Sequence, residues 1–285
     1  MTSFVVESQQ LAPTVWQLAR VEGRRLLRHP VVLVAFVLSV VWIVAFAKGM
    51  VGGDYFSVAG PGLLPLLGAL VAANLATLRS RRSDTDELYE SLPSPERTRT
   101  LAHLLSLGWL LAGSAIFVAA AFVGLGGHDG FVINYDGATA GPSVAEFAQG
   151  PLAITTVAAL GIALARWIPF LPAAPVLAAG LVVFQMPTTL WGIESAWKWF
   201  LPLANAADTP PGTSFPCDRS GEGVGWCGEP VFQTTAAGWH LAYLAGLGIA
   251  FGAVALLRHD RRPRTIAIGV AGLAVAAVAG VLQIP

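Results

Sequence analysis

Seven apolar runs without a single Asp, Glu, Lys or Arg divide the chain, and short polar stretches separate them. They are Val31–Ala47, Tyr55–Leu78, Leu101–Leu125, Phe147–Ala165, Phe170–Pro187, Ala236–Leu257 and Thr265–Ile284. A helix needs about 20 apolar residues to cross a hydrocarbon core about 30 Å thick. The runs are therefore read as membrane-spanning helices. The first is slightly short, and Lys48 extends it by snorkelling. The fifth is interrupted by Pro172, Pro175 and Pro187, and the seventh depends on Arg258–Arg264 forming a loop. The expected fold class is an all-α membrane protein: a six-span core with an additional C-terminal span.

Charge then orients the spans. Fourteen of the 17 basic residues fall in Arg20–Arg28, Arg79–Arg99, the lone Arg166 and Arg258–Arg264. Lys and Arg accumulate on the cytoplasmic side of membrane proteins. Threading the runs from a cytoplasmic N-terminus puts all four clusters inside and the C-terminus outside. Nine of the 17 acids fall in the segments placed outside. Charged residues make up only 12% of the chain, against roughly 25% in soluble domains. The chain reads as a multi-pass protein of a bacterial cytoplasmic membrane, with no targeting peptide evident. Three divisions are expected: residues 1–30 as a tail and interfacial helix, 31–257 as a six-span domain, and 258–285 as a basic loop and a further span. Lipid is the expected medium, and no nucleic acid is expected as a partner.

Three segments outside the spans carry further signals. In Thr14–His29, Val15, Trp16, Ala19, Gly23, Leu26 and Leu27 share one arc of a helix, opposite Gln17, Arg20, Arg24 and Arg28. That is the pattern of a helix lying in the interface plane; the alternative is a basic tail that only sets orientation. Pro30 separates it from the first span. Gly126–Gly150 reads as an ordinary outside loop. Thr188–Asn205 carries Trp191, Trp197, Trp199 and Phe200, and reads as a helix at or dipping into the outer leaflet, or as an aromatic belt around a loop. Cys217 and Cys227, the two cysteines of the chain, follow in the same outside segment. A disulfide is expected there. Two thiols without a nearby His lack the ligands of a metal site.

The cytoplasmic loop Arg79–Thr100 is the longest inside segment between spans. Ser83 with Asp86 opens a capping-box-like turn. Asp84, Asp86 and Glu87 occupy the first turn, where the helix dipole favours anions. Leu88 and Leu92 share a face with Tyr89 nearby, and Pro93 and Pro95 stop the helix. So short a helix needs a surface to dock on; the alternative is a solvated loop with one helical turn.

Arg81, Arg82, Asp86, Glu87, Leu88, Ser91, Leu92, Pro93, Arg97 and Arg99, placed after an interfacial helix and two spans, resemble the type-2 permease of bacterial ATP-binding-cassette exporters. The resemblance covers roughly residues 14–257 and includes the Trp-bearing outside element. It implies a transport subunit for a hydrophobic or amphipathic substrate. A second permease chain and two copies of a cytosolic ATPase are the implied partners, with ATP and Mg bound by the ATPase. Asp86, Glu87, Leu88, Tyr89, Leu92 and Pro93 are the implied coupling contacts. A seventh span departs from the family's six; its Gly272, Ala276 and Gly280 stripe suits close packing within the chain, or a dimer contact.

No phosphate-binding loop and no catalytic constellation occur in the sequence, so the chain is not expected to be an enzyme and no cofactor is expected in it. His103 and His240 are single and near span ends. Two other classes compete. An ion-coupled secondary transporter needs ionisable groups within its spans, and Asn74, Gln185 and the two histidines are its strongly polar candidates. A membrane anchor or sensor subunit explains the spans but not the docking-type loop.

Overall fold

The computed structural model describes residues 3–47, 62–79, 95–124, 133–135, 138–140, 144–190, 200 and 234–284. Within them lie eight α-helices and one small antiparallel hairpin. The helices are α1 Ser3–Leu27, α2 Pro30–Ala47, α3 Leu63–Thr77, α4 Glu96–Gly124, α5 Val144–Trp167, α6 Ala173–Leu190, α7 Thr234–Leu257 and α8 Pro263–Leu282. The hairpin pairs β1 Ile133–Tyr135 with β2 Ala138–Ala140, in the segment expected to be an ordinary loop.

Among the described residues, α4, α5, α7 and α8 are long and apolar enough to cross a bilayer. The bent pair α1–α2, with a 49° break before Pro30, makes a fifth if it is counted as one span. The apolar stretches Leu63–Thr77 and Ala173–Val183 are shorter. Each of the seven apolar runs thus contains a helix, while four to five qualify as spans by length and composition.

Three boundaries differ from the sequence reading. Helix α4 starts at Glu96 rather than at Leu101, because Glu96, Arg97 and Arg99 are good helix formers that need not lie in lipid. Helix α6 starts at Ala173 and runs past Pro187 to Leu190, so residues 188–190 belong to it rather than to the outside element. Pro172 and Pro175 sit before and within the first turn, where a missing N–H costs nothing. Helix α1 extends well upstream of Thr14.

The fold is organised around α5. It packs against α3, α4 and α7; α1 lies on α4, α2 on α3, and α8 on α7. The core cluster runs through Leu66, Leu70, Leu110, Ile154, Ile162 and Leu244, all nearly inaccessible. Small and polar groups set the approach of the helices. Asn74 Nδ2 donates to Gly161 O across α3–α5 (3.2 Å), where a Cβ on Gly161 would stand 2.5 Å from Leu70 O. Thr156 Oγ1 donates to Leu244 O across α5–α7 (2.9 Å). Trp167 Nε1 donates to Val254 O (2.8 Å).

The tightest seam is α7–α8. A Cβ on Gly246 would meet Ala276 N at 2.6 Å, and one on Gly272 would meet Gly246 O at 2.8 Å. The Gly272, Ala276 and Gly280 stripe is buried against α7 and the Phe200 ring. The stripe therefore serves packing within the chain. The opposite face of α8, with Val270, Val278 and Val281, is exposed, as a lipid-facing surface would be.

Gly272→Leu should therefore destabilise the protein by about 1–3 kcal/mol, the cost of overpacking a close contact. Gly238, in α7, has open space around it. Thermal unfolding in detergent should show a clear drop for Gly272→Leu and almost none for Gly238→Ala; equal responses would contradict the seam.

Candidate functional site

The four basic clusters, far apart in sequence, meet at one end of the bundle, and three acids hold them there. Glu22 of α1 bridges Arg25 (2.9 Å) and Arg79 (3.6 Å). Glu96 at the start of α4 bridges His259 (2.8 Å) and Arg166 of α5 (3.9 Å). Asp260, in the turn between α7 and α8, bridges Arg97 (2.7 Å) and Arg262 (3.3 Å). Each acid thus joins two basic groups, and every cluster is linked to at least one other.

Local structure explains the placement. Along α1, Ala19, Glu22, Gly23 and Leu26 recur at helical spacing and are buried, facing α4. A Cβ on Gly23 would stand 2.2 Å from Trp109 Cδ1, so this face lies flush against α4. Glu22 shares the buried stripe and is 9% exposed. Arg20, Arg24 and Arg28 are exposed, as is Trp16 at 59%, which leaves the arc shared with Ala19 and Gly23. In the α7–α8 turn, His259 N and Asp260 N donate to Leu256 O, and Asp260 Oδ2 accepts from Thr265 Oγ1 (3.3 Å). Pro263 then opens α8 with its φ already set for a helix. The turn presents Asp260, only 5% exposed, to Arg97. The ring of Trp167 closes this end under Arg258, whose Cζ lies 5.8 Å from the ring centroid.

A cavity of about 70 Å³ opens between α1, α3, α4 and α5. Its polar wall is Glu22, Thr77, Arg79, Glu96, Arg99, His103 and Arg166, and Leu18 and Ala76 complete it. Among the described residues no group of three or more His, Cys, Asp or Glu could hold a metal.

A second polar contact lies away from the charged end. His240 Nδ1 and Gln283 Oε1 are 2.8 Å apart, both nearly inaccessible, joining α7 to the end of α8. A carbonyl oxygen only accepts, so Nδ1 carries the proton. Tyr243 OH donates to Phe200 O (2.8 Å) alongside.

Of the residues singled out from the sequence, Asp86, Glu87, Leu88, Tyr89, Leu92, Pro93, Cys217 and Cys227 lie outside the described residues. So do Gln185's side chain and Trp191, Trp197 and Trp199. Asn74 and His240 are engaged in contacts between helices. Sequence reasoning missed Glu22, Glu96, Asp260 and His259. Their signal was available: Glu22, Glu96 and Asp260 each stand among arginines in a basic cluster.

Comparison with protein families, with curated proteins and with solved structures returned no match.

Asp260→Asn keeps the shape of the turn and removes the charge shared by Arg97 and Arg262. Arg97 is 42% exposed, so water replaces part of what is lost. The expected destabilisation is about 1–2 kcal/mol. Arg262→Gln, at a side chain 68% exposed, should cost less than about 0.5 kcal/mol. Unfolding in detergent checks both, and the reverse ranking would contradict the arrangement.

Proposed function

We propose that this chain is the membrane-spanning permease subunit of an ATP-driven exporter of the bacterial cytoplasmic membrane. It would work as one of two permease chains, with two copies of a separate cytosolic ATPase. The ATPase binds ATP and Mg and supplies the energy of hydrolysis. The charged end is the cytoplasmic side, in line with the bias of Lys and Arg. The exported substrate is hydrophobic or amphipathic, since the apolar runs bring no charge to a transport path.

One observation carries the reading. Both ends of the loop over residues 80–94 are ion-paired into the bundle. Arg79, before it, meets Glu22 of α1, and Glu96, after it, meets Arg166 of α5 and His259 beyond α7. A displacement of that loop by a docked partner is therefore handed to several helices together. The leucine pair Leu88 and Leu92 supplies the apolar contact, and Asp86 and Glu87 meet basic or backbone N–H groups of the ATPase. Asn74 and His240, two of the polar groups that an ion-coupled path would use, make contacts between helices instead, which supports ATP-driven over ion-coupled transport.

Leu88→Asp and Leu92→Asp each remove a burial worth roughly 1.5–3 kcal/mol. Co-purification of the ATPase with tagged permease should weaken about tenfold or more, with the permease still inserted and folded. Full retention of the ATPase by both variants would remove the docking role. Orientation has its own measurement. In reduced, intact cells a membrane-impermeant thiol reagent should label Cys217, and protection of both Cys217 and Cys227 would overturn the topology.

A further inference from the structure

Helix α1 runs along α4 in the same direction. Leu18 and His103 line one cavity, a Cβ on Gly23 would meet Trp109, and one on Gly113 would meet Leu27. At about 1.5 Å per residue, the contact of Leu27 with Gly113 lies roughly 25 Å along α4 from Glu96. The turn before α8 is level with the start of α4, since Asp260 meets Arg97. Helix α8 then exposes Ile266, Ile268 and Val270 within its first turns. The apolar surface therefore starts close to the charged end. The C-terminal half of α1 lies well inside a hydrocarbon core about 30 Å thick.

That half carries a row of cations. Arg20, Arg24 and Arg28 recur at helical spacing on one side of α1, and all three are exposed. None of them makes a side-chain hydrogen bond or ion pair among the described residues. Snorkelling carries a guanidinium no further than the length of its own side chain. Charges at such depth pair or face water, and they mark the paths of substrates. A second copy does not pair them through the same face, because a two-fold contact there sets arginine against arginine. The row suits a face that is hydrated and open to anions, since guanidinium groups bind oxyanions through paired hydrogen bonds. Its flanks are apolar. Trp16 and Val21 are exposed beside the arginines, and past the bend at Pro30 α2 exposes Val34, Val37 and Val41.

We propose that Arg20, Arg24 and Arg28 line one wall of the substrate path, and that the exported compound is an anionic amphiphile. Its head group passes from one arginine to the next while its tail stays on the apolar flank. The substrate role rests on the export reading; the binding of anionic amphiphiles by the row does not.

Binding and transport are measured apart. The full chain in phosphatidylcholine nanodiscs is titrated with dodecyl phosphate, and with dodecylphosphocholine as a zwitterion of the same tail, while thermal unfolding is followed. Dodecyl phosphate should raise the midpoint and dodecylphosphocholine should not. The triple variant Arg20→Gln, Arg24→Gln, Arg28→Gln should weaken the apparent affinity about tenfold or more. Arg24→Lys should retain most of it, and Arg264→Gln, at an exposed residue at the start of α8, should leave it unchanged. Should the triple variant not fold, Arg24→Gln against Arg24→Lys carries the comparison. In the complex with the co-purified ATPase, dodecyl phosphate should stimulate ATP hydrolysis, and the triple variant should lose that stimulation. Phosphatidylglycerol that binds as well as dodecyl phosphate, with neither stimulating hydrolysis, would keep the anion row and overturn its place on an export path. If no ATPase accompanies the chain, the export reading and the substrate role fall together, and the binding arm still decides the row. The row itself is overturned if dodecyl phosphate and dodecylphosphocholine act alike, or if the triple variant and Arg264→Gln respond alike.

Discussion

Apolar side chains gain nothing by leaving lipid for one another, so hydrophobic burial alone does not bind helices together in a bilayer. Close backbone approach and a few hydrogen bonds must do it. That constraint accounts for where glycine, alanine, serine and threonine sit in this protein. Gly246 against Gly272 brings α7 and α8 into backbone contact, and Gly161 admits the α3 backbone beside the Asn74 hydrogen bond. Helix α5 is the hub because it presents such groups on several sides, with Ala158, Gly161 and Thr156 facing the core beside Ile154 and Ile162. The large residues Val37, Val176, Val270 and Ile116 are turned outward, where lipid accepts them.

Charge is subject to the opposite constraint, since it must stay at the surface or be neutralised. The described structure gathers it at one end and shares it out through Glu22, Glu96 and Asp260. Each bridge alone, half in water, is worth little. Their value lies in which elements they connect. Glu96 reaches both α5 and the α7–α8 turn, and Glu22 reaches across to the end of α3. Arg79 and Glu96, on either side of residues 80–94, are thus each paired to other elements of the bundle.

Much of this was legible in the sequence, and the reasons for the rest are physical. The seven apolar runs each contain a helix because a bilayer-length uncharged stretch has few other ways to satisfy its backbone. Their ends were misplaced where helix and apolar run part company. Residues 96–100, three charged residues and two threonines, are helical, and α6 carries Pro187 near its end and continues to Leu190. The gathering of basic clusters followed from the orientation rule. The partners of those clusters did not, because the orientation rule weighs Lys and Arg and says nothing of which acids they pair with, so Glu22, Glu96 and Asp260 went unread. Which helix lies on which could not be read at all. Helix α7 is apolar over its whole length, so no periodic stripe marks its inner face, and a glycine's meaning appears only when its neighbour is known.

The bridges at the charged end have a kinetic side. Arg97 and Asp260 are neighbours in space and remote along the chain, as are Glu96 and His259. Contacts of such long sequence separation form late, because the intervening chain must first be ordered. During synthesis the start of α4 is made long before the turn bearing His259 and Asp260 exists. The helices must be threaded with these charges still hydrated, and the ion pairs then close over a bundle already assembled. Their formation marks the end of assembly and exerts no guidance over its beginning, which leaves the early steps to the small-residue seams within the apolar runs.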